Sequence, residues 1–246
     1  MYKHAIYTIK SNEKIAPDVF RMTLTGDTQY IIRPGQFINI KLDSFYLRRP
    51  ISICDYGKDG LTVIYKTVGS GTHQLGKMSA GQTLDCLTGL GNGFDTSKCL
   101  KDALVIGGGV GIPPLYKLSK ELIAQGKNVS VVLGFNTAQE IFYKKEFEDL
   151  GARVYLCTVD GSAGIKGFVT DALKEENIDY DYFFSCGPEP MLKAVCNSTK
   201  TSGQLSFESR MGCGFGACLA CSCKTKYGNK RICKDGPVLE KEEIIW

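Results

Sequence analysis

The sequence predicts a β plus α/β protein: an N-terminal antiparallel β-barrel, a parallel-sheet α/β domain, and a small cysteine-rich C-terminal extension. Three observations predict it. Short apolar runs broken by turn residues fill the chain up to about Gly93, strand–helix alternation takes over from about Lys101, and five cysteines crowd the stretch from Cys213 to Cys233. A chain of 246 residues has room for more than one compact domain, and the expected division is 1–97, 98–202 and 203–246.

In the first part the expected strands are Val19–Thr25, Gln36–Lys41, Ile51–Cys54, Leu61–Val68 and Thr83–Leu87, punctuated by Pro34-Gly35, Asp59-Gly60 and Gly69–Gly71. Short strands at this spacing build a barrel or a sandwich. One helix is expected, Thr72–Met78, with Thr72 as its cap. Arg48-Arg49-Pro50-Ile51-Ser52 stands where a barrel strand would begin. A guanidinium and a hydroxyl three residues apart suit a pyrophosphate, although Arg and Ser are as common on a solvated strand start. Gly69, Gly71 and Thr72 offer backbone N–H groups as a second phosphate-type element; the plainer reading is a hairpin turn.

The second part begins with Ala103–Ile106 as a buried-type strand, Gly107–Gly111 as a turn, and Pro113–Ala124 as a helix with proline in its first turn. Val129–Leu133, a helical Lys144–Leu150, Arg153–Thr158, a helix near Asp171–Glu176, Tyr182–Ser185 and a helix at Glu189–Thr199 continue the alternation. Such order implies right-handed crossovers and a parallel sheet. Gly107-Gly108-Gly109-Val110-Gly111-Ile112-Pro113-Pro114 departs from G-x-G-x-x-G, because Pro113 takes the third glycine's place. Its strand–turn–helix context is nonetheless that of a nucleotide-binding turn. Cys186-Gly187-Pro188-Glu189-Pro190-Met191 repeats the context, so both turns belong at the sheet edge where such folds bind ligands. Cys186 reads either as a buried core thiol or as a sulfur beside a nicotinamide ring. Gly134-Phe135-Asn136-Thr137-Ala138 has no adjacent Arg or Lys for a 2′-phosphate, which favours NAD over NADP; Lys144 and Lys145 lie further on.

Composition excludes several classes. Hydrophobic residues make up 43% and charged residues 23%, an ordinary globular balance. A net charge of +4 without a dense Lys/Arg run gives no reason to expect nucleic acid. No apolar run approaches the ~18 residues of a membrane span, and none reads as a signal peptide, so the expected location is cytoplasmic. Eleven cysteines are then no disulfide framework, because cytosolic thiols stay reduced. Cys54, Cys86, Cys99, Cys157, Cys186 and Cys196 are scattered, as small buried hydrophobes are. Cys213, Cys218, Cys221 and Cys233 form C-x4-C-x2-C-x11-C, whose first three members match the plant-type [2Fe–2S] spacing. Two irons need two thiolates each, and Gly212, Gly214, Gly216 and Ala217 leave the loop small enough to wrap them. Zinc would call for a second C-x2-C pair or for histidines, and His4 and His73 are remote in sequence. Cys223 reads as a neighbouring thiol outside the ligand set, and would enter it only in place of Cys221 or Cys233. With little apolar periodicity, residues 203–246 are expected to draw stability from a bound metal centre.

The order R-P-I-S, G-G-G-V-G-I-P-P, C-G-P-E-P-M resembles the ferredoxin-NADP reductase superfamily across roughly residues 1–200. E-x-R-M-x-C-G-x-G-A-C from Glu208 to Cys218, with C-K-D-G-P from Cys233 to Pro237, resembles the electron-transfer subunits of type B dihydroorotate dehydrogenase, and with it the resemblance covers essentially the whole chain. It implies FAD in the barrel, held at Arg49, Pro50, Ile51, Ser52, Ile64, Tyr65, Lys66, Gly71 and Thr72. NAD would lie over the flavin near Gly107, Gly108, Gly109, Gly111, Pro113, Gly187 and Pro188, with Cys186 as the catalytic residue. Cys213, Cys218, Cys221 and Cys233 would ligate the [2Fe–2S] cluster. A TIM-barrel partner that binds FMN and oxidises dihydroorotate is implied as well, in a two-plus-two heterotetramer serving pyrimidine biosynthesis. Two other readings stand beside this one. The same cofactors would serve the NAD(P)H-binding subunit of a ferredoxin- or sulfide-linked oxidoreductase, bifurcating forms included; a zinc-stabilised nucleotide-binding regulatory module would have no redox role.

Overall fold

The structure is a computed structural model that describes residues 2–246. Its first part comprises β1 (Lys3–Ala16), β2 (Val19–Thr25), β3 (Phe37–Ile40), β4 (Arg49–Gly57), β5 (Gly60–Lys66), α1 (Ser70–Gly76) and β6 (Thr83–Leu90). The six strands close into an antiparallel barrel in the order β1-β2-β5-β4-β3-β6. Alternation turns Tyr7, Met22, Leu24, Ile38, Ile40, Ile53 and Val63 into its interior, where all are almost fully buried. The strand that closes the barrel, β1, was not expected. Its sequence, KHAIYTIKSNEKIA, carries Lys3, Lys10, Glu13 and Lys14 among polar residues, and only a few of its positions are buried. Register shifts at Ile9/Ser11 and Lys14/Ala16 let this one long strand pair with both β2 and β6. Helix α1 also differs from expectation. Gly69 is its cap and Thr72 lies in its first turn, where the Thr72 hydroxyl accepts from the N–H groups of Val68 and Gly69 at 2.9 and 3.2 Å.

The second part runs β7 (Asp102–Gly108), α2 (Pro113–Ala124), β8 (Asn128–Phe135), α3 (Lys144–Asp149), β9 (Arg153–Thr158), β10 (Ile165–Lys166), α4 (Val169–Glu175), β11 (Tyr182–Cys186), α5 (Glu189–Ser198) and β12 (Gly203–Ser206). These strands form a parallel sheet in the order β10-β9-β8-β7-β11-β12. Helix α2 ties the sheet to the barrel. Lys120 bonds Asp55 at 2.9 Å, Lys117 donates to the Tyr56 carbonyl at 3.0 Å, and Tyr56 reaches Glu121 at 3.1 Å.

The C-terminal stretch is less autonomous than its composition suggests. β13 (Ser222–Thr225) and β14 (Gly228–Arg231) make a hairpin, and β15 (Val238–Glu240) pairs antiparallel with β12 as the seventh strand of the main sheet. Leu205, Ile232, Leu239 and Ile244, with Cys221 and Cys233, are buried in one cluster with Leu104 and Ile106 of β7 and with Phe37 and Leu90 of the barrel. The stretch therefore does bury apolar surface. Its apolar residues show no helix or strand period because they come in ones and twos between turns. No helix among the described residues is long and apolar enough to cross a membrane.

Candidate functional site

Sheet order reverses between β7 and β11, since β8 and β9 lie to one side and β12 to the other. A crevice opens at the strand C-termini at such a point. A cavity of about 640 Å³ lies there, walled by Gly108–Gly111, Pro188 and Met191 from the two turns and by Pro17, Val19 and Lys66 from the barrel. The glycines are explained by close approach. An ideal Cβ on Gly111 would fall 2.4 Å from the Cys186 carbonyl oxygen and 2.6 Å from the Gly187 Cα, so the two turns touch backbone to backbone. Pro113 opens α2 and is buried, which leaves the cavity wall to the glycines before it.

On the barrel side, the Arg49 guanidinium lies against α1. An ideal Cβ on Gly71 would sit 2.4 Å from Arg49 Nε, and the cation stacks over the Phe45 ring at 4.4 Å. Two of the expected phosphate elements thus meet, and glycine at position 71 leaves the room that the Arg49 guanidinium occupies. Arg48 is engaged elsewhere, on Asp85 at 2.8 Å. Ser52 stands three residues along β4 from Arg49, about 10 Å at strand rise, too far for the pair to close on one phosphate. Ile64 and Tyr65 bury their side chains, with the Tyr65 hydroxyl donating to Asn12 at 2.9 Å. What they present is backbone, and Lys66 is the member of that trio that reaches the cavity.

Cys186 ends β11 between Gly107 of β7 and Ser206 of β12, buried under the glycine turn. Burial, then the nearby Glu208 carboxylate, push its thiol up to about 12, against a hydrogen bond with Ser206. It is a neutral thiol at physiological pH, and no nucleophile. Two residues given no role from sequence also line the cavity. Glu208 is open to it but ringed by protein, and this desolvation raises its carboxyl above the ordinary value. The Glu140 carboxylate accepts from the Asn136 side chain at 2.8 Å and backbone N–H at 3.2 Å, just beyond the C-terminus of β8. An acid shortly after a strand–turn was the available signal for Glu140; Glu208 precedes a cysteine motif, where attention goes to sulfur.

The four cysteines gather as two pairs. Cys213 N–H points at Cys218 Sγ and Cys218 N–H at Cys213 Sγ, both at 3.4 Å, while Ala217 N–H reaches Cys213 Sγ at 3.2 Å. Cys233 N–H points at Cys221 Sγ at 3.4 Å. Burial works against ionisation of Cys213, but N–H donors from Cys218, Phe215 and Ala217 outweigh it and lower the thiol to about 6. Burial, then the adjoining Cys221, push Cys233 up to about 12. Among the described residues no three His, Cys, Asp or Glu side chains converge on a single ion position, and two thiol pairs are the donor set of two irons. Cys223 lies in β13 outside both pairs, its thiol raised by burial. Arg231 holds the loop in place: it clasps Asp235 through Nε and Nη2 at 2.8 and 3.1 Å and donates to the Gly216 carbonyl at 2.9 Å. Cys213 in turn touches the barrel, where its carbonyl accepts from Asn39 Nδ2 at 3.3 Å. Asn39 is the register partner of Pro50, inside the Arg49–Ser52 segment.

Residues 208–245 match the iron–sulfur cluster binding domain of dihydroorotate dehydrogenase B, and residues 105–197 match the oxidoreductase NAD-binding domain. The dihydroorotate dehydrogenase B (NAD(+)) electron transfer subunit of Fusobacterium nucleatum is 44% identical over 96% of each chain. The corresponding subunit of Lysinibacillus sphaericus is 46% identical, again over 96% of each. Among solved structures, one of an NADH-dependent reduced ferredoxin-NADP oxidoreductase, described for flavin-based electron bifurcation, superposes with a TM-score of 0.89. It is 32% identical over 98% of this chain and 90% of its own.

Proposed function

The chain belongs to the family of dihydroorotate dehydrogenase B electron transfer subunits, and on that premise we propose that it passes electrons from the FMN of a dihydroorotate-oxidising catalytic subunit, through a [2Fe–2S] cluster and FAD, to NAD⁺. The catalytic subunit is a separate chain, assembled with this one two plus two in the cytoplasm. The chain divides its work between a flavin barrel (1–97), a nicotinamide domain (98–202) and a cluster extension (203–246). FAD, when bound, exchanges a hydride with nicotinamide and single electrons with the cluster, which reconciles two-electron with one-electron chemistry.

The rest falls to the protein's own groups. Arg49, packed against Gly71, neutralises a pyrophosphate; Pro50, Ile51, Ser52 and the backbone of Ile64 and Tyr65 follow the flavin's path, with Lys66 at the cavity. Gly108–Gly111 and Pro188 bring backbone close to the nicotinamide nucleotide, with Gly107, packed on Ile112 and Leu115, and Gly187, packed on Met191, supporting them from behind, and Glu140 accepts from a ribose hydroxyl. Cys186 stays protonated and fills the floor beneath the nicotinamide, excluding water without attacking it. Cys213 with Cys218 and Cys221 with Cys233 supply two thiolates to each iron, and the N–H groups that lower Cys213 stabilise the charge on its sulfur.

One observation carries this reading: the residue that holds Cys213 is the strand partner of Pro50, so cluster ligand and flavin segment are one side chain apart. The test is anaerobic purification. The native protein should hold iron, acid-labile sulfide and FAD, co-purify with an FMN protein, and reduce artificial acceptors with NADH. Turnover of dihydroorotate by this chain alone, or absence of iron and sulfide, would overturn the reading. Likeness to the bifurcating oxidoreductase supports a second reading with the same cofactors and a ferredoxin-linked partner; the identity of the co-purifying protein separates the two.

A further inference from the structure

We propose that Asn39 is the positioning residue that sets the cluster-ligand loop against the flavin strand, an inference that rests on the function just proposed. Asn39 lies in the middle of β3 and is 1% exposed. Ile38 and Ile40 on either side point into the barrel, so Asn39 faces the other way, toward the C-terminal stretch, where the default buried occupant is apolar, as at Phe37 on the same face. An amide is buried there instead, and only one end of it is satisfied. Nδ2 donates to the Cys213 carbonyl at 3.3 Å, while Oδ1 is buried without a hydrogen-bond partner. A half-paired buried amide is a cost that leucine would avoid, and it calls for a compensating role.

The contacts indicate the role. Gly214 packs on the amide so closely that an ideal Cβ would stand 2.3 Å from Asn39 Nδ2, and its φ of +79° is one that glycine adopts freely. The two residues together form a close seat: the first cluster ligand and the glycine after it rest on one barrel side chain. On the barrel side, Asn39 is in register with Pro50, and its own carbonyl accepts from the Arg48 guanidinium at 3.4 Å. The amide therefore spans from the flavin segment to the backbone of Cys213. Side chains on strands are held more firmly than loops. Fixing Cys213 from a strand fixes the outer thiol pair relative to the flavin segment, and the amide dipole lies beside the ligand it positions.

The test uses the full chain, purified anaerobically, as wild type, Asn39→Leu and Asn39→Asp. Wild type lacking iron and flavin would overturn the proposed function, and this inference with it. With wild type loaded, the readouts are iron and flavin per chain, the EPR spectrum of the dithionite-reduced cluster, its midpoint potential, and cluster reduction after mixing with NADH. Flavin content and flavin reduction by NADH should stay as in wild type in both variants. The EPR g values should move and cluster reduction should slow roughly fivefold, as expected for loss of one hydrogen bond. The same fivefold change in the reduction equilibrium is a shift of about 40 mV for a one-electron couple. Its direction is negative in Asn39→Asp, because the added carboxylate opposes reduction. Iron lost while flavin is retained would support the inference equally. Should the leucine variant not fold, the aspartate variant, of the same size, decides. A wild-type spectrum, potential and transfer rate in a folded, loaded variant would overturn the inference. Joint loss of flavin and iron in both variants would overturn it too, since Asn39 would then be a residue of barrel folding.

Discussion

Gly111→Ala tests whether the two turns at the sheet edge form one surface. The added methyl would stand 2.4 Å from the Cys186 carbonyl oxygen, 2.6 Å from its carbonyl carbon and 2.6 Å from the Gly187 Cα. All three are backbone, so no rotamer change relieves the overlap. The turns must separate by something near 1 Å, since uncrowded heavy atoms keep about 3.5 Å. Overpacking of this kind costs about 1–3 kcal/mol. If the whole cost falls on the bound state, the KM for NADH rises about five- to 150-fold, at tenfold per ~1.4 kcal/mol. If it falls on the fold, the melting temperature drops by about 2–12 °C for a chain of this size. The assay is NADH oxidation with an artificial acceptor, run beside a thermal melt. Gly57→Ala is the control, because an ideal Cβ there meets nothing within 4 Å. A Gly111→Ala protein with wild-type KM and wild-type melting would refute the argument, since the methyl would then have found room.

Cys218→Ser should remove the iron while leaving flavin content and NADH-driven flavin reduction close to wild type, as read by metal analysis and stopped-flow absorbance. Glu140→Arg should replace a carboxylate that repels a 2′-phosphate with a group that attracts it; the NADH/NADPH ratio of kcat/KM is expected to fall about tenfold or more, which steady-state kinetics with both nucleotides measures. Asp235 is held below the usual carboxylate range by its hydrogen bonds with Arg231, against a burial penalty. A depressed folded pKa contributes stability that is present above the unfolded value of ~3.9 and is lost as pH falls through the folded one. The visible absorption of the cluster should therefore bleach with an acid step below about pH 4 in wild type, whereas Asp235→Asn should bleach faster already at pH 7 and lack that step.

The grouping of the cysteines and the two turns were legible because their signals are local: a spacing, a glycine run, a proline after it. Helix and strand periods carried the α/β part, though not its two edge additions, since Ile165–Lys166 is two residues long and Gly203–Ser206 offers four with no alternation. Other features were hidden for a common reason, namely that each depends on distant partners. β1 looks like a solvated polar stretch until β2 and β6 pair with its two edges and barrel closure buries Tyr7 and Ile9. Glu208 and Glu140 become cavity residues only once β7, β8 and β11 share an edge. Arg49 and Gly71, separated by a full strand and a turn, were each weak; their meeting is a fact of barrel closure that no window of sequence contains.

The C-terminal stretch shows why the metal need not hold the fold. Composition suggested a segment that requires its cluster, yet Cys221 and Cys233 are 2% exposed within the same apolar cluster as Leu205 and Leu239. Asn92 adds a clasp at the barrel–sheet connection: its side chain donates to the Val238 carbonyl at 2.7 Å and accepts from the Val238 N–H at 3.1 Å, locking β15 in place. Cys213 and Cys218 lie instead on a loop with no regular structure, and Cys218 is exposed. The inner pair is thus positioned by folding and the outer pair by a few loop contacts from Arg231 and Asn39. A cluster lost through Cys218→Ser should then leave β12, β15 and the flavin barrel intact, because none of the contacts that hold them passes through the outer sulfurs.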